Sequence, residues 1–221
     1  MTSWFRPLIA GATLGDRAVA SVGALLGITL TMLVCAYYPF AMADLPLIVA
    51  PIGASAVLAF AVPASPLAQP WSVVGGNIVS TLIGIAAFRL VPEAHVAAGV
   101  AVGGAILAMS LLRCLHPPGG AAALTAVIGG PAIHAAGWSF AFVPVGINSI
   151  ALAALAIAFH RWSGHSYPHR ALPPVPEPLG LNLADIDQAL ADMPDSFDIA
   201  RADLDALLTR AEHHAIQRRT R

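Results

Sequence analysis

Charged side chains are nearly absent from the first three quarters of this chain. From residue 18 to residue 159 the sequence contains only Asp44, Arg89, Glu93 and Arg113. A soluble fold of this size cannot cover its surface with so few charges. The whole chain is 57% hydrophobic and 10% charged, against roughly 25% charged residues in an ordinary soluble domain. The sequence therefore predicts an all-α integral membrane protein with a polar tail.

Six apolar segments can be drawn in the part of the chain before Trp162. They cover residues 18–38, 45–62, 73–90, 96–112, 118–130 and 139–160. A full span needs roughly 20 residues, so the first and sixth segments are long enough. The second and fifth are short and interrupted by Pro and Gly, and they can be full spans, re-entrant dips or half-helices. We therefore predict about six membrane elements, namely four long helices and two short ones.

The arginines predict the orientation of these segments. With six crossings, one side receives Arg6, Arg17, Arg113, Arg161 and Arg170. The other side receives Arg89, which Glu93 partly offsets, and Asp44. Because Arg and Lys accumulate on the cytoplasmic side of membrane proteins, we expect both termini in the cytoplasm.

The chain divides into three parts. Residues 1–162 form the predicted transmembrane domain, and residues 163–180 form a stiff linker that is rich in proline. Residues 181–221 are expected to form a cytoplasmic tail of two amphipathic helices. Asn182 can cap the first helix. The apolar positions of the two helices are Leu183, Ile186 and Leu190, then Leu204, Leu207, Leu208 and Ala211. This tail can dock on the membrane domain, on another subunit or on a partner outside this chain.

The membrane domain contains an internal repeat. Residues 51–72 align without a gap on residues 118–139, with eight identities in 22 positions. The identities other than alanine are Pro51/Pro118, Gly53/Gly120, Trp71/Trp138 and Ser72/Ser139. After a shift of four residues, Asn77 also pairs with Asn148. Composition bias is the alternative explanation, and the paired Trp-Ser and Pro-x-Gly positions argue against it.

The repeat predicts an inverted architecture. Each unit, at about residues 18–90 and 96–160, contains three elements. An odd number of crossings turns the second unit upside down, which is how many secondary transporters are built. In those proteins the substrate site lies near the bilayer midplane, at paired short segments interrupted by Gly and Pro. The second and fifth segments fit that description.

These two short segments have the length of half-helices. Residues 51–62 and 118–129 are 12 residues each, or about 18 Å of helix. Half of the hydrocarbon core is about 15 Å thick. Two opposed half-helices would point their positive N-terminal ends at the membrane centre, which favours anions.

Several blocks of the sequence resemble the HPP family of integral membrane proteins. The most specific is His-Pro-Pro-Gly-Gly-Ala at residues 116–121, followed by a helix of small apolar residues. The others are residues 51–58 and residues 65–70, the latter followed by Gly75-Gly76-Asn77. The resemblance covers about residues 15–160. It implies four transmembrane helices, a bacterial inner membrane and transport of a small inorganic anion, with nitrite as the first candidate.

The resemblance also bears on the tail and on one site position. Many bacterial members carry a C-terminal pair of CBS domains, and this tail resembles the linker before them. A CBS-type regulatory module outside this chain is therefore an expected partner. The family often has His where this chain has Asn77, which argues against a role for that position in protonation.

The candidate anion-binding residues lie at the starts of the half-helices and on two apolar helices. They are Gly53, Ala54, Ser55, Asn77, His116, Pro117, Pro118, Gly119, Gly120, Ala121 and Asn148. His116 is either a ligand and proton-coupling group or a helix cap. Arg113 either lines the vestibule or only anchors the topology. Trp71 and Trp138 fit interfacial anchors, and His160, His165 and His169 fit a solvated linker.

Three functions follow from this reading. The first is an alternating-access anion transporter, the second an anion channel of the same architecture, and the third a membrane sensor or scaffold that signals through its tail. The residues offer no paired carboxylates in the membrane and no Ser-His-Asp set, so we expect no enzyme. We also expect no cofactor, no metal and no nucleic-acid partner. Besides the lipid bilayer, we expect a homodimer, because small residues on the first and fourth segments permit close helix contacts.

Overall fold

The protein is described here from a computed structural model, which covers residues 13–37, 45–171, 182–192 and 198–219. These residues form helices and connecting segments without a strand, which confirms the predicted all-α fold. The helices are α1 (Leu14–Ala36), α2 (Pro51–Ala61), α3 (Pro70–Leu90), α4 (Ala94–Leu111), α5 (Pro117–Ile128), α6 (Pro131–Ala136), α7 (Val145–Ser163), α8 (Leu183–Asp192) and α9 (Arg201–Arg219). Two 3-10 turns lie at Pro66–Ala68 and Gly137–Ala141.

Four of the described helices are long and apolar enough to span a membrane, namely α1, α3, α4 and α7. α2 is a shorter apolar helix, and α5 forms a pair with residues 131–141 that bends by 95°. The predicted combination of four long and two short elements is therefore confirmed. The sixth element differs in detail, because residues 137–141 form a 3-10 turn and the helix begins only after Pro144.

The helix starts follow local sequence signals. Thr13 and Asp16 form a capping box at α1, with each residue bonding the backbone N–H of the other. The first helical segment therefore begins at Leu14, four residues before the predicted start. Helices α2, α3, α5 and α6 each have proline in the first turn, where its missing N–H costs no hydrogen bond.

The end of α2 lies on the same side of the molecule as the start of α1. Arg17, in the first turn of α1, donates from Nη1 to the carbonyl of Ala61 at the end of α2, over 3.3 Å. His160, in the last turn of α7, donates from Nε2 to the carbonyl of Ala59, over 2.9 Å. The start of α1, the end of α2 and the end of α7 thus share one side, which we call the tail side.

α5 runs in the opposite direction. Gly76 of α3 lies against His116 at the start of α5, and Gly84 of α3 lies against Ala123 of α5. α5 therefore runs parallel to α3. Since α3 follows the short connection from the end of α2, it begins on the tail side, and both helices lead away from that side. The equivalent short helices α2 and α5 thus run in opposite senses, as an inverted repeat requires.

The paired tryptophans lie at opposite ends of α3. Trp71 donates from Nε1 to the carbonyl of Leu112 on the tail side, over 3.2 Å. The Trp138 ring lies beside the last turn of α3, with the Arg89 guanidinium 5.3 Å from its centroid. Both indoles are about half exposed, as expected for side chains at the two membrane interfaces.

The described parts of the linker and the tail pack on the connection between α2 and α3, residues 63–69, which we call the 63–69 loop. The Tyr167 hydroxyl donates to the carbonyl of Ala68 over 2.7 Å, and the His169 N–H donates to Gln69 Oε1 over 2.9 Å. Burial raises the pKa of Tyr167, so its phenol stays a donor at neutral pH. Ser65 donates to both carboxylate oxygens of Asp198.

The two tail helices differ in how well they follow the predicted faces. Asn182 caps α8 as predicted, because its Oδ1 accepts from the N–H groups of Ala184 and Asp185, and Ile186 is buried. On α9, Leu207 is 58% exposed, and the buried side chains include Ala206 and Thr209. The predicted leucine face of α9 therefore has only partial cover within the described chain.

We predict that Gly84 sets the closeness of α3 and α5. A Cβ at this position would lie 2.9 Å from the Cα of Ala123 and 2.9 Å from the Cβ of Ala126, and it would also meet the Ala123 carbonyl. Gly84→Ala should lower stability by about 1–3 kcal/mol through overpacking. The measurement is the thermal unfolding midpoint in detergent. Gly15→Ala on α1, where a Cβ meets only Thr13 Oγ1 at an ordinary 3.5 Å, is the control, and equal midpoints for the two variants would contradict the prediction.

Candidate functional site

A buried polar cluster joins the short helices α2 and α5. It consists of Ser55 from α2, Asn77 from α3, His116 before α5 and Ser149 from α7, and we call it the His116 cluster. All four residues have no solvent exposure. Asn77 is the eighth residue of α3, so the cluster lies about 10 Å along a helix that is about 31 Å long. Polar groups at such a depth in an apolar bundle are costly and are often functional.

Local sequence places His116 at the centre of the cluster. It is the N-cap of α5 and has an extended backbone, with φ −144° and ψ 106°. The following Pro117 favours this conformation, because a residue before proline is biased away from the helical region. Gly76 permits the close approach, since a Cβ there would lie 2.5 Å from the His116 Cβ and 2.8 Å from the Cys114 carbonyl oxygen.

The partners of His116 define its tautomer. Its Nδ1 lies 2.8 Å from the carbonyl oxygen of Leu67. A carbonyl oxygen only accepts hydrogen bonds, so Nδ1 carries the hydrogen and donates. In the neutral ring Nε2 is then an acceptor, and the Ser55 hydroxyl, 2.8 Å away, donates to it. His116 thus connects α2 with the 63–69 loop.

Asn77 completes the cluster. Its side-chain Nδ2 donates to Ser55 Oγ and to Ser149 Oγ, each over 3.2 Å. Ser149 in turn donates to the carbonyl of Val145 over 2.8 Å. The Asn77 Oδ1 atom is buried and has no hydrogen-bond partner within the described residues. A buried carbonyl oxygen without a donor is unusual in a native protein.

Asn148, which the sequence leaves open between a site role and a structural role, makes contacts that are separate from those of Asn77. Its Oδ1 accepts from the N–H of Val49 over 2.9 Å, and its Nδ2 donates to the carbonyl of Leu47 and to Cys35 Sγ over 3.0 and 2.9 Å. These bonds satisfy the non-helical backbone before α2. Asn148 therefore holds the entry to α2, and its hydrogen bonds go to residues outside the His116 cluster.

The small residues at the helix starts divide between two faces. Pro118 and Gly119 are buried, and a Cβ on Gly119 would lie 2.5 Å from Ser80 Oγ and 2.9 Å from the Met109 sulfur. Helix packing therefore accounts for Gly119. Five other predicted site residues are exposed or half-buried, because the 3.6-residue period of the helix turns them away from the core. These are Gly53, Ala54, Pro117, Gly120 and Ala121.

Arg113 and the histidines near the end of α7 lie outside the His116 cluster. Arg113 is exposed after the end of α4, with φ 55°, on the tail side where a vestibule residue or a topology anchor belongs. His160 corrects the expectation of a solvated linker, because it is buried in the last turn of α7 and bonds Ala59 and Ser163. Of the other two linker histidines, His165 is exposed and His169 contacts Asp203 over 2.7 Å.

Two members of the arrangement were missed from the sequence. Ser149 directly follows the predicted Asn148, but a serine in an apolar helix commonly bonds the carbonyl four residues earlier and carries no distinct signal. The Leu67 carbonyl is a backbone group, and only the folded 63–69 loop brings it to His116. The sequence signal that could have indicated this close packing is Gly76, which permits α3 to approach His116.

The chemistry available in the cluster is hydrogen bonding and proton exchange. His116 is its titratable side chain, and two hydroxyls and one carboxamide surround it. The part of the chain that the structure describes has no group of three His, Cys, Asp or Glu side chains arranged to hold a metal ion. The cluster suits a small polar or ionic ligand that exchanges hydrogen bonds with these groups.

Comparisons with known proteins agree with a membrane role. The family profile described as HPP, transmembrane region, matches residues 10–168. A transmembrane protein of Dictyostelium discoideum is 38% identical over 114 residues, covering 50% of this chain and 36% of the relative. A second one is 34% identical over 131 residues, covering 57% of this chain and 46% of the relative. The chain thus spans less than half the length of these curated relatives. No solved structure matches the chain.

We predict that Asn148 protects Cys35 by holding the entry to α2. Asn148→Ala removes one bond to the thiol and two bonds to the backbone at Leu47 and Val49. The loss of buried hydrogen bonds should cost about 1–3 kcal/mol, which makes a local opening about 5- to 150-fold more populated. The rate of Cys35 alkylation by a membrane-permeant maleimide, in a Cys114→Ala background, should rise accordingly. Asn77→Ala, which leaves these three bonds in place, is the control, and an equal rise in both variants would contradict the prediction.

Proposed function

Because the chain belongs to the HPP transmembrane family, we propose that this multi-pass membrane protein transports a small inorganic anion, with nitrite as the first candidate. The anion would bind at the junction of α2 and α5, next to the His116 cluster. No enzymatic step is part of this proposal.

The observation that carries the proposal is the contact between the N-terminal parts of two oppositely directed short helices. Ser55, in the second turn of α2, bonds His116, the N-cap of α5, over 2.8 Å. From this junction α2 leads toward the tail side and α5 leads away from it. A helix N-terminus carries a partial positive charge, so the junction attracts an anion without a fixed buried cation. Discontinuous helices of this kind hold the substrate in many secondary transporters.

The exposed residues at the starts of α2 and α5 support a surface at the junction that faces either water or another protein. Gly53, Ala54 and Pro117 are exposed close to the starts of the two helices. A helix start inside a membrane cannot face lipid with open backbone groups, so such a surface faces water or another protein. We propose that it lines the anion path. Alternating access by rocking of the two repeats and a preformed channel would both use this surface.

The membrane setting is also a proposal. Arg17, Arg113, Arg161 and Arg170 lie at the tail-side ends of α1, α4 and α7 or just after them, which favours a cytoplasmic tail side in a bacterial inner membrane. A homodimer through α4 is supported by the open space around Gly99 and Gly103 on its outer face, since glycines four residues apart permit close helix pairs.

The test of the proposed function is nitrite uptake into proteoliposomes that contain the purified protein. Ser55→Ala should reduce uptake about tenfold or more, because it removes the hydroxyl that joins α2 to His116. Ser110→Ala on α4, whose exposed hydroxyl bonds the Ile106 carbonyl within the same helix, should keep full uptake. Absence of uptake for nitrite, nitrate, chloride and bicarbonate by the unmodified protein would overturn the proposal.

A second candidate function, a sensor that signals through its tail, is supported by one specific contact. The 63–69 loop bonds His116 through the Leu67 carbonyl. It also bonds the linker through Ala68 and Gln69 and the tail through Ser65. A change at the cluster therefore has a short, continuous route to the tail. A CBS-type module or another partner outside this chain would receive the signal.

We predict that the Tyr167 hydroxyl holds the 63–69 loop in place. Tyr167→Phe keeps the ring and removes a buried hydrogen bond worth about 1 kcal/mol, which is a roughly fivefold change in local opening. Amide hydrogen exchange of residues 63–69 should become faster by about that factor. Tyr37→Phe is the control, because Tyr37 is 85% exposed at the end of α1. Unchanged exchange in Tyr167→Phe would remove the structural basis of the sensor function.

A further inference from the structure

We infer that the His116 cluster binds the anion together with one proton, as an electroneutral pair, and that Ser55 switches its hydroxyl between two acceptors when the proton arrives. This inference rests on the proposed function and specifies what the site accepts. It is carried by the hydrogen-bond arrangement of the cluster and by the absence of a counter-charge among its described contacts.

In the neutral cluster every side-chain donor is already engaged. The two N–H groups of Asn77 donate to Ser55 and Ser149, and the Ser149 hydroxyl donates to the Val145 carbonyl. The Ser55 hydroxyl donates to His116 Nε2, and His116 Nδ1 donates to the Leu67 carbonyl. The one open position is an acceptor, Asn77 Oδ1. The neutral cluster therefore offers an anion neither a free side-chain donor nor a positive charge.

A proton on His116 Nε2 reverses this arrangement without leaving a group unpaired. The ring nitrogen then donates to Ser55 Oγ, across the same 2.8 Å. The Ser55 hydroxyl turns to the carbonyl oxygen of Pro51, 3.1 Å away in the first turn of α2. Ser55 Oγ has two lone pairs, so it accepts from the ring and also keeps the Asn77 N–H. Protonation therefore adds a positive charge at the junction where the anion binds, while each donor of the cluster keeps an acceptor.

Charge makes the coupling obligatory. Within the described residues, the ion pairs His169–Asp203 and Arg201–Asp187 lie in the linker and the tail, away from His116. Among the described residues, titratable groups on the adjoining segments are the Cys114 thiol, two residues before His116, and the Tyr167 phenol, which donates to Ala68 next to Leu67. A buried imidazolium or a buried anion alone is expensive, because neither has a partner of opposite charge. Bound together they compensate each other, so each raises the affinity for the other.

One proton from the aqueous phase binds to Nε2 of the neutral His116 ring, and one anion binds beside it, so the net charge of the site does not change. On release to the opposite side, the proton and the anion leave, and the Ser55 hydroxyl returns to Nε2. No oxidation, reduction or covalent bond to the anion is involved.

The first experiment measures proton uptake on anion binding by the purified protein in detergent. Sodium nitrite is added at neutral pH in weak buffer that contains a pH indicator, and bound nitrite is quantified in parallel. We expect one proton taken up per anion bound. In proteoliposomes, we expect nitrite uptake to follow an imposed pH gradient and to be unchanged by a membrane potential set with potassium and valinomycin.

Two histidine variants separate the cluster from other histidines of the membrane domain. His116→Gln should abolish proton uptake. His134→Gln should retain it, because His134 stacks on Phe88 and bonds the Val127 carbonyl away from the cluster. If His116→Gln does not fold, the effect of membrane potential on nitrite uptake by the unmodified protein still tests whether transport is electroneutral.

The outcomes are distinct. One proton per anion together with uptake that is insensitive to potential supports the inference. Nitrite binding without proton uptake, or uptake driven by membrane potential, overturns the inference and leaves the proposed function standing. No binding and no uptake of any tested anion overturns both.

Discussion

A helix that begins inside a membrane leaves backbone groups that lipid cannot satisfy, so the protein itself must supply their partners. The two short helices of this protein meet that requirement in different ways. Asn148 of the long helix α7 bonds the chain at Leu47 and Val49 before α2. At the start of α5, the backbone carbonyl of His116 accepts from the Gly119 N–H over 2.8 Å, and the His116 ring donates to the Leu67 carbonyl.

The same requirement connects three parts of the molecule that are distant in sequence. The bond between Ser55 and His116 joins the two short helices across 61 residues, and Asn77 adds α3 and α7 to the junction. The Leu67 carbonyl adds the 63–69 loop, on which the tail packs. A ligand that changes these hydrogen bonds acts at once on both repeats and on the tail contact. The transporter and sensor functions therefore start from one site.

Much of the fold could be predicted because its signals are local. The apolar segments, the prolines in first turns and the Asn182 cap each depend on neighbouring residues, and the structure has helices where they indicate them. The site was only partly predictable. Ser55, Asn77 and His116 come together as expected, whereas Asn148 lies elsewhere and Ser149 takes the place expected for it. Which face of a short helix points inward depends on the neighbours that pack on it, as the outward Gly53 and Ala54 illustrate.

The sequence alone determined that the chain is a helical membrane protein with two short broken segments, because hydropathy and proline positions act through the solvent and the local backbone. Only the tertiary structure decided which polar atoms meet. The Leu67 carbonyl has no sequence signal, and the open Asn77 Oδ1 is visible only once its neighbours have used every donor around it. The tautomer of His116 was decided in the same way, since it follows from which atom of a distant loop lies against the ring. Hydrogen bonds between distant segments depend on distances of a few tenths of an ångström, and those distances exist only after the helices have packed.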